Sequence, residues 1–293
     1  MKKHLWIWAV LFWTVAACNH PTDTPLAASH YTFTDDYGRT VEVPASPQRI
    51  VSTSPAVTDI IFALRGERLL VGRTDFCTHP DEALRIESIG GISNLNVEKI
   101  LSLEPDLVIS GSMIPKKSTA QMEKMGVPTV HVIEKHRFDD LYQNIRLIGG
   151  LIGRAAQADS LNRVLQKQME GLVSEEITPV PSVYYVVGFG AAGNFTAGGD
   201  SFINDIIRMA GGRNVAEEIK GWSYSLEALL NADPDFIVIR KEDKETFCHT
   251  QPYNKLTAVK QGRVIPIESG LIDLQVPRNI EAVQLLHTAF SQR

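Results

Sequence analysis

The chain has 293 residues, of which 44% are hydrophobic and 22% charged, and its formal net charge at pH 7 is −5. Because 29 Lys and Arg residues face 34 Asp and Glu residues, the composition excludes a strongly basic protein that binds nucleic acid. Three cysteines are too few for a disulfide framework, and the length is sufficient for two lobes, since single cores stop growing at about 250–300 residues.

Residues 1–17 have the pattern of a secretory signal peptide. Two lysines precede an apolar run over 5–17, which is shorter than the roughly 20 residues that a spanning helix needs. The letters VAAC, ending at Cys18, resemble a bacterial lipobox, which predicts a lipidated Cys18 followed by a polar tether over 18–30. An ordinary signal peptide cut elsewhere and a membrane anchor remain alternatives. A lipidated cysteine places the protein in the periplasm or on the cell surface, anchored to a bacterial membrane.

The remaining chain alternates short β-rich runs with helical patterns, which predicts an α/β fold of two Rossmann-like lobes with mostly parallel sheets. In the N-terminal lobe, 31–135, the expected strands are 49–53, 69–73, 106–110 and 129–133, and the expected helices are 56–64 and 97–102. In the C-terminal lobe, 179–293, the expected strands are 182–189, 235–240 and 264–268, and the expected helices are 201–209, 225–231 and 277–290.

Linking helices are expected over 136–178, between the lobes. The long helix predicted over 154–176 has one apolar stripe at steps of three and four, formed by Ala158, Leu161, Leu165, Met169 and Leu172. At about 1.5 Å per residue, 23 residues span about 35 Å, which is long enough to brace two lobes against one another. The alternative is a surface helix that belongs to one lobe.

One pattern occurs in both halves of the chain. VEKILSLEPDLVIS (97–110) and SLEALLNADPDFIVIR (225–240) each contain a glutamate, Glu98 or Glu227, seven residues before a proline, an aspartate and an apolar run. Helix-Pro-Asp-strand junctions are common in α/β folds and explain the prolines, but they do not require the two glutamates to keep the same offset. The repeat therefore indicates two similar lobes related by a pseudo-twofold axis.

Several motifs together resemble the class III solute-binding proteins, the periplasmic components of importers for cobalamin, ferric siderophores and haem. In chain order they are RIVSTSPAVTDIIFALRG, VGRTDFCTHPDEA, IGGISNLNVEKILSLEPDLVIS, TAGGDSFINDIIRMAGGRNVA and VPRNIEAV. The resemblance implies one long inter-lobe helix and a ligand held in the cleft between the lobes. It further implies that Glu98 and Glu227 dock on the two subunits of an ABC permease, which works with a cytoplasmic ATPase. The alternative is that each glutamate is simply an acidic residue at a helix N-terminus, where the helix dipole favours a negative charge.

The ligand-binding residues are expected at the carboxyl ends of the strands. A large planar metal chelate needs aromatic and apolar faces together with a few polar groups that orient it. The candidates are Phe76, His79, Met113, Trp222, Tyr224, Arg240 and Lys241. Trp222 is the strongest of them, because its polar GWSYS loop offers no core strand to which it could belong, and the cationic pair Arg240 and Lys241 is expected to attract carboxylates.

Two loops, FCTHP (76–80) and FCHTQP (247–252), each place a cysteine near a histidine. Cys77, His79, Cys248 and His249 leave three alternatives, namely free thiols, a disulfide across the cleft, or weak ligands of a metal ion. Catalytic motifs such as GxSxG and HExxH do not occur, so we expect a binding protein without a cofactor of its own rather than an enzyme. A chelatase-like enzyme that uses the four cysteine and histidine residues is the alternative function.

Overall fold

The chain folds around two parallel sheets in the computed structural model, which describes residues 29–173, 176–191 and 193–292. The expected signal peptide and Cys18 lie outside the described residues. Within them, no helix combines the length and the apolar character needed to cross a membrane.

The N-terminal lobe is built on a four-stranded sheet. Its elements are β1 (His30–Thr34), β2 (Thr40–Pro44), β3 (Ile50–Ser52), α1 (Pro55–Ala63), β4 (Leu70–Arg73), β5 (Gly90–Gly91), β6 (Asn94–Leu95), α2 (Val97–Ser102), β7 (Leu107–Ser110), α3 (Lys116–Lys124), β8 (Thr129–His131) and α4 (Asp140–Leu151). The strand order is β4-β3-β7-β8 with parallel pairing throughout, whereas β1-β2 and β5-β6 are antiparallel hairpins. Helices cover the sheet, so its strands are apolar runs rather than alternating patterns.

The C-terminal lobe repeats this plan after α5 (Ala155–Val173). Its elements are β9 (Ser182–Val186), α6 (Phe202–Met209), β10 (Arg213–Asn214), α7 (Leu226–Ala232), β11 (Phe236–Arg240), α8 (Lys244–His249), α9 (Thr257–Lys260), β12 (Val264–Ile267), α10 (Ser269–Ile272) and α11 (Asn279–Ser291). The sheet order is β10-β9-β11-β12, again fully parallel. Two similar α/β lobes are therefore present, and the predicted fold class is confirmed.

Helix α5 packs against both lobes. It contacts α4 on the side of the first lobe and α6 and α11 of the second. The predicted stripe faces this packing, because its five residues are buried or half-buried. Helix α4 approaches closely at Gly149, where an added Cβ would lie 2.5 Å from the Cβ of Ala158. The helix thus braces the two lobes, although it spans 155–173 in the described residues rather than 154–176.

The apolar cores follow the same division. One continuous core extends from the N-terminal sheet through α4 and α5 into the C-terminal sheet, and each lobe has a further core on the other face of its sheet. The shared core explains why α5 can hold the lobes in a defined relation, since interiors packed at crystal-like density resist deformation.

Several element ends differ from the sequence expectation, among them the end of β8 at His131 instead of residue 133, and two of them have a clear local cause. The strand expected over 182–189 ends at Val186, because Gly188 pairs with Phe195 in an isolated antiparallel bridge instead of continuing the parallel sheet. The helix expected over 277–290 begins at Asn279, whose side chain accepts a hydrogen bond from the backbone N–H of Val276. In both cases a local hydrogen bond, invisible in the hydrophobic pattern, sets the boundary.

Candidate functional site

The carboxyl ends of both sheets open into a cleft between the lobes. Two cavities of about 350 Å³ each lie there. They are contiguous, because four residues line both of them, namely Pro55, Ile92, Asp273 and Leu274. Parallel strands collect their carboxyl ends at one edge of a sheet, which is the usual place for a ligand in such folds.

The inner cavity has apolar walls from both lobes. Met113 follows β7 in the first lobe, and Trp222 and Phe202 come from the second. Met113 is 71% exposed and Trp222 is 49% exposed, so neither side chain is needed to fill a core. Large apolar side chains left open in a cleft are available to a ligand.

The second cavity contains two of the candidates, Phe76 and His79. Phe76 is 60% exposed. Nε2 of His79 lies 3.8 Å from the Asp59 carboxylate, which is buried and ion-paired at 2.8 Å with Nε of Arg278 from the other lobe. Burial raises the pKa of Asp59, against the opposing effect of the Arg278 hydrogen bond and charge. This ion pair therefore ties the two lobes together at the base of the cleft.

Other polar contacts cross between the lobes beside the cleft. The side-chain amide of Gln275 donates to the carbonyl of Arg137 at 2.6 Å and accepts from the N–H of Lys135 at 3.2 Å. The Asp205 carboxylate accepts from the N–H of Phe138 at 3.0 Å. These contacts fix the segment after β8 against the second lobe.

Similarity to known proteins agrees with this geometry. A family model described as periplasmic binding protein matches residues 50–270. The chain belongs to that family.

Relatives of this periplasmic binding protein span almost all of it. The uncharacterized ABC transporter substrate-binding lipoprotein YvrC of Bacillus subtilis is 29% identical, over 98% of this chain and 96% of YvrC. The vitamin B12-binding protein of Salmonella typhi is 26% identical, over 83% of this chain and 90% of its own. The solved periplasmic heme-binding protein RhuT from Roseiflexus sp. RS-1 superposes with a TM-score of 0.74 at 26% identity, covering 84% of this chain and 98% of RhuT.

Three candidates in this periplasmic binding protein lie outside the two cleft cavities. Nε of Arg240 is paired with the Asp273 carboxylate at 2.8 Å, and the hydroxyl of Tyr185 donates to the same carboxylate. Lys241 lines an outer cavity of about 310 Å³ that adjoins the second one at His79. Tyr224 packs its ring against Tyr184, with the centroids 5.6 Å apart, and donates its hydroxyl to the Val215 carbonyl. Arg240 thus contacts a residue that lines the cleft, whereas Tyr224 packs against the further core of the second lobe.

The cysteine and histidine loops do not form one cluster. Cys77 is buried beside the Thr74 hydroxyl at 3.2 Å, and burial raises the pKa of its thiol. Cys248 packs partly against the second-lobe core, and Nδ1 of His249 lies 2.8 Å from the Glu245 carbonyl of its own helix. Both cysteines are free thiols, and no group of three or more potential metal-ligating side chains occurs in the part of the chain that the structure describes. The shared site required by the alternative enzyme is therefore not supported.

Sequence reasoning missed several lining residues. Glu134, Lys135 and His136 follow β8, and the same rule that selected the ends of the other strands applies to them. Asp273 and Leu274 come after the last strand and the short helix α10, at a position that no hydrophobic period predicts. Only the tertiary fold brings them to the cleft.

The paired glutamates occupy equivalent positions in the two lobes. Glu98 is the second residue of α2 and Glu227 the second residue of α7. Each helix has a side-chain cap, because the Asn96 side chain accepts from the N–H of Lys99 and the Ser225 hydroxyl from the N–H of Ala228. Both glutamates are exposed, and neither forms an ion pair among the described residues. Because the first turn is already capped, neither carboxylate is needed to cap the N-terminus of its helix.

Proposed function

We propose that this protein is the substrate-binding lipoprotein of an ABC importer and that it captures a metal chelate (a ferric siderophore, haem or cobalamin) between its lobes. The observation that supports this most directly is the placement of Met113, Phe76 and Trp222. These three exposed apolar side chains line two contiguous cavities, and they come from both lobes. A bulky, largely apolar ligand would bury all three side chains.

The volume of the cleft cavities is in the range of small-molecule pockets. Pockets for small molecules usually measure about 300–1,000 Å³, and each cleft cavity measures about 350 Å³. Related proteins named as vitamin B12-binding and heme-binding support the same class of ligand. The named lipoprotein relative supports lipid anchoring at Cys18, outside the cytoplasmic membrane.

Ligand binding is tested by thermal unfolding with cobalamin, haemin and a panel of ferric siderophores. A ligand at a hundred times its dissociation constant adds about 2.7 kcal/mol to the stability of the folded state. Trp222→Ala should weaken binding about thirtyfold, since a buried aromatic anchor contributes about 2 kcal/mol. Val164→Ala, which removes an exposed apolar side chain on α5, is the matched control and should leave affinity unchanged. If no chelate raises the unfolding temperature of the wild-type protein, the proposed ligand class is wrong.

Delivery to a permease is tested at the paired glutamates. Glu98→Gln and Glu227→Gln should leave ligand affinity unchanged, because both residues lie outside the cleft cavities. Each should lower ligand-dependent ATP hydrolysis by the reconstituted importer, and the double substitution should lower it further. An unchanged ATPase rate in the double variant would contradict a docking role. Cys18→Ser should release the protein from the membrane fraction if Cys18 is the lipidated residue.

A further inference from the structure

Acidic side chains outnumber basic ones along the two cleft cavities. Four carboxylates line the two cleft cavities, namely those of Asp59, Asp75, Glu134 and Asp273. Only two formal cations line them among the described residues, namely Lys135 and Arg278. The outer cavity adds three carboxylates, those of Asp81, Glu242 and Glu268, and one cation, Lys241.

Both cations of the cleft already have an acidic partner within the protein. Arg278 is paired with Asp59 at 2.8 Å, and Nζ of Lys135 is paired with Asp36 at 3.1 Å. Arg240 lines neither cleft cavity, and its guanidinium is paired with Asp273 at 2.8 Å. A ligand carboxylate would therefore have to share one of these cations with an acid of the protein, and that neighbouring acid weakens the attraction that the ligand can gain.

Of the four cleft acids, Glu134 and Asp75 have no ion-pair partner among the described residues, and Glu134 is the more buried of the two. Its Oε1 accepts from the Ser54 hydroxyl at 3.3 Å and its Oε2 accepts from the Ser112 hydroxyl at 3.1 Å. Both serines line the inner cavity with it. Two neutral donors orient the carboxylate but leave its negative charge uncompensated, so it remains available to a hydrogen-bond donor or a cation on the ligand.

We infer that Glu134 is a specificity-determining residue that selects a neutral or cationic chelate bearing hydrogen-bond donors, such as amide groups, and rejects one with free carboxylates. This inference rests on the proposed function, because it narrows the class of ligand bound in the same cleft. An amide-bearing ligand offers N–H donors to Glu134, whereas a ligand carboxylate near it meets a like charge in a partly desolvated site. A unit charge about 12 Å away, at an effective dielectric constant of about 20, changes an affinity about tenfold.

The test compares cyanocobalamin, which has amide side chains and no net charge, with haemin, which has two carboxylates. Dissociation constants are measured by equilibrium dialysis, which tolerates coloured ligands, on the wild-type protein, Glu134→Gln and Glu170→Gln. Glu134→Gln removes the charge but keeps the size and the acceptor oxygen. Glu170→Gln makes the same chemical change at an exposed position of α5 outside the cavities.

The wild-type protein should bind cyanocobalamin at least tenfold more tightly than haemin. Glu134→Gln should narrow that ratio about tenfold by strengthening haemin binding, and Glu170→Gln should leave the ratio unchanged. Haemin binding as tight as that of cyanocobalamin, with a ratio that Glu134→Gln does not move, would overturn the inference while leaving the proposed function intact. If the wild-type protein binds neither chelate in dialysis nor any siderophore in the thermal assay, the proposed function fails and the inference fails with it.

Discussion

The ion pair between Asp59 and Arg278 allows the stability contributed by a contact between the lobes to be measured. Its nitrogen and oxygen lie 2.8 Å apart, and the side chains are only 8% and 13% exposed. Arg278→Met would leave the Asp59 carboxylate buried, and the basic group that remains near it among the described residues is the His79 ring, which lies 3.8 Å away and is 48% exposed. Removing one partner of a buried pair costs about 3–5 kcal/mol, and the slight exposure of this pair favours about 3 kcal/mol.

A loss of about 3 kcal/mol corresponds to a drop of about 6–12 °C in the midpoint of thermal unfolding for a protein of this size. Stability is measured by urea denaturation, followed by far-UV circular dichroism and by the fluorescence of Trp222, the only tryptophan after residue 18. Coincident transitions from the two probes would support a two-state treatment. The double variant Asp59→Asn with Arg278→Met should recover most of the loss, because neither charge is then left buried alone.

The matched control is Lys99→Met, which breaks the exposed pair between Lys99 and Glu87. That pair is equally short at 2.8 Å, but its side chains are 37% and 55% exposed. Exposed pairs contribute about 0–1 kcal/mol, so this variant should lose less than about 1 kcal/mol. If the two substitutions at Asp59 and Arg278 prove strictly additive, or if Arg278→Met costs no more than the control, the ion pair does not join the lobes in solution.

Three further predictions concern stability alone. Burial, and after it the nearby positive charge of Arg39, lowers the pKa of His131 below its usual value of 6.5. The unfolded chain therefore takes up the proton first on acidification, and stability falls as pH drops below about 6.5. Between pH 7.5 and pH 5, urea denaturation should show a smaller loss of stability for His131→Gln than for the wild-type protein, and an equal loss would contradict the argument. Gly199→Ala should cost about 3 kcal/mol or more, because its Cβ would lie 1.9 Å from the carbonyl oxygen of Glu217; a normal unfolding temperature would refute this. Gly150→Ala, at an exposed position of α4 with nothing within 4 Å of the new Cβ, should instead raise stability by about 0.8 kcal/mol in urea denaturation, and a loss of stability would contradict this.

The elements with the strongest sequence signals were predicted at nearly their observed places. Helix α5 was visible because its apolar residues recur at steps of three and four, and β11 because a proline and an aspartate precede a continuous apolar run. These are local signals, since a helical stripe or a buried strand depends on residues close together in the sequence. The repeat around Glu98 and Glu227 was equally clear in the sequence, and it predicted the two-lobed fold correctly.

The residues that line the cleft could be predicted only in part from the sequence. Strand ends indicated Met113 and Trp222, which do line the inner cavity, but the same reasoning could not distinguish them from Tyr224, whose ring packs against Tyr184. A loop aromatic can turn toward the cleft or toward the core, and the choice depends on neighbours that are distant in sequence. Arg240 illustrates the same limit, because its partner Asp273 lies 33 residues further along the chain.

By itself, the sequence determined the class of fold, the order of the elements and the helix that joins the lobes, because each of these depends on hydrophobic periods and turn residues within short stretches. Tertiary structure decided the charge of the cleft. Asp59 and Arg278 are 219 residues apart, and only the packing of one lobe on the other pairs them. Within the described part of the chain Glu134 has no ion-pair partner for the same reason, since ion pairing depends on distances in space rather than on positions along the chain.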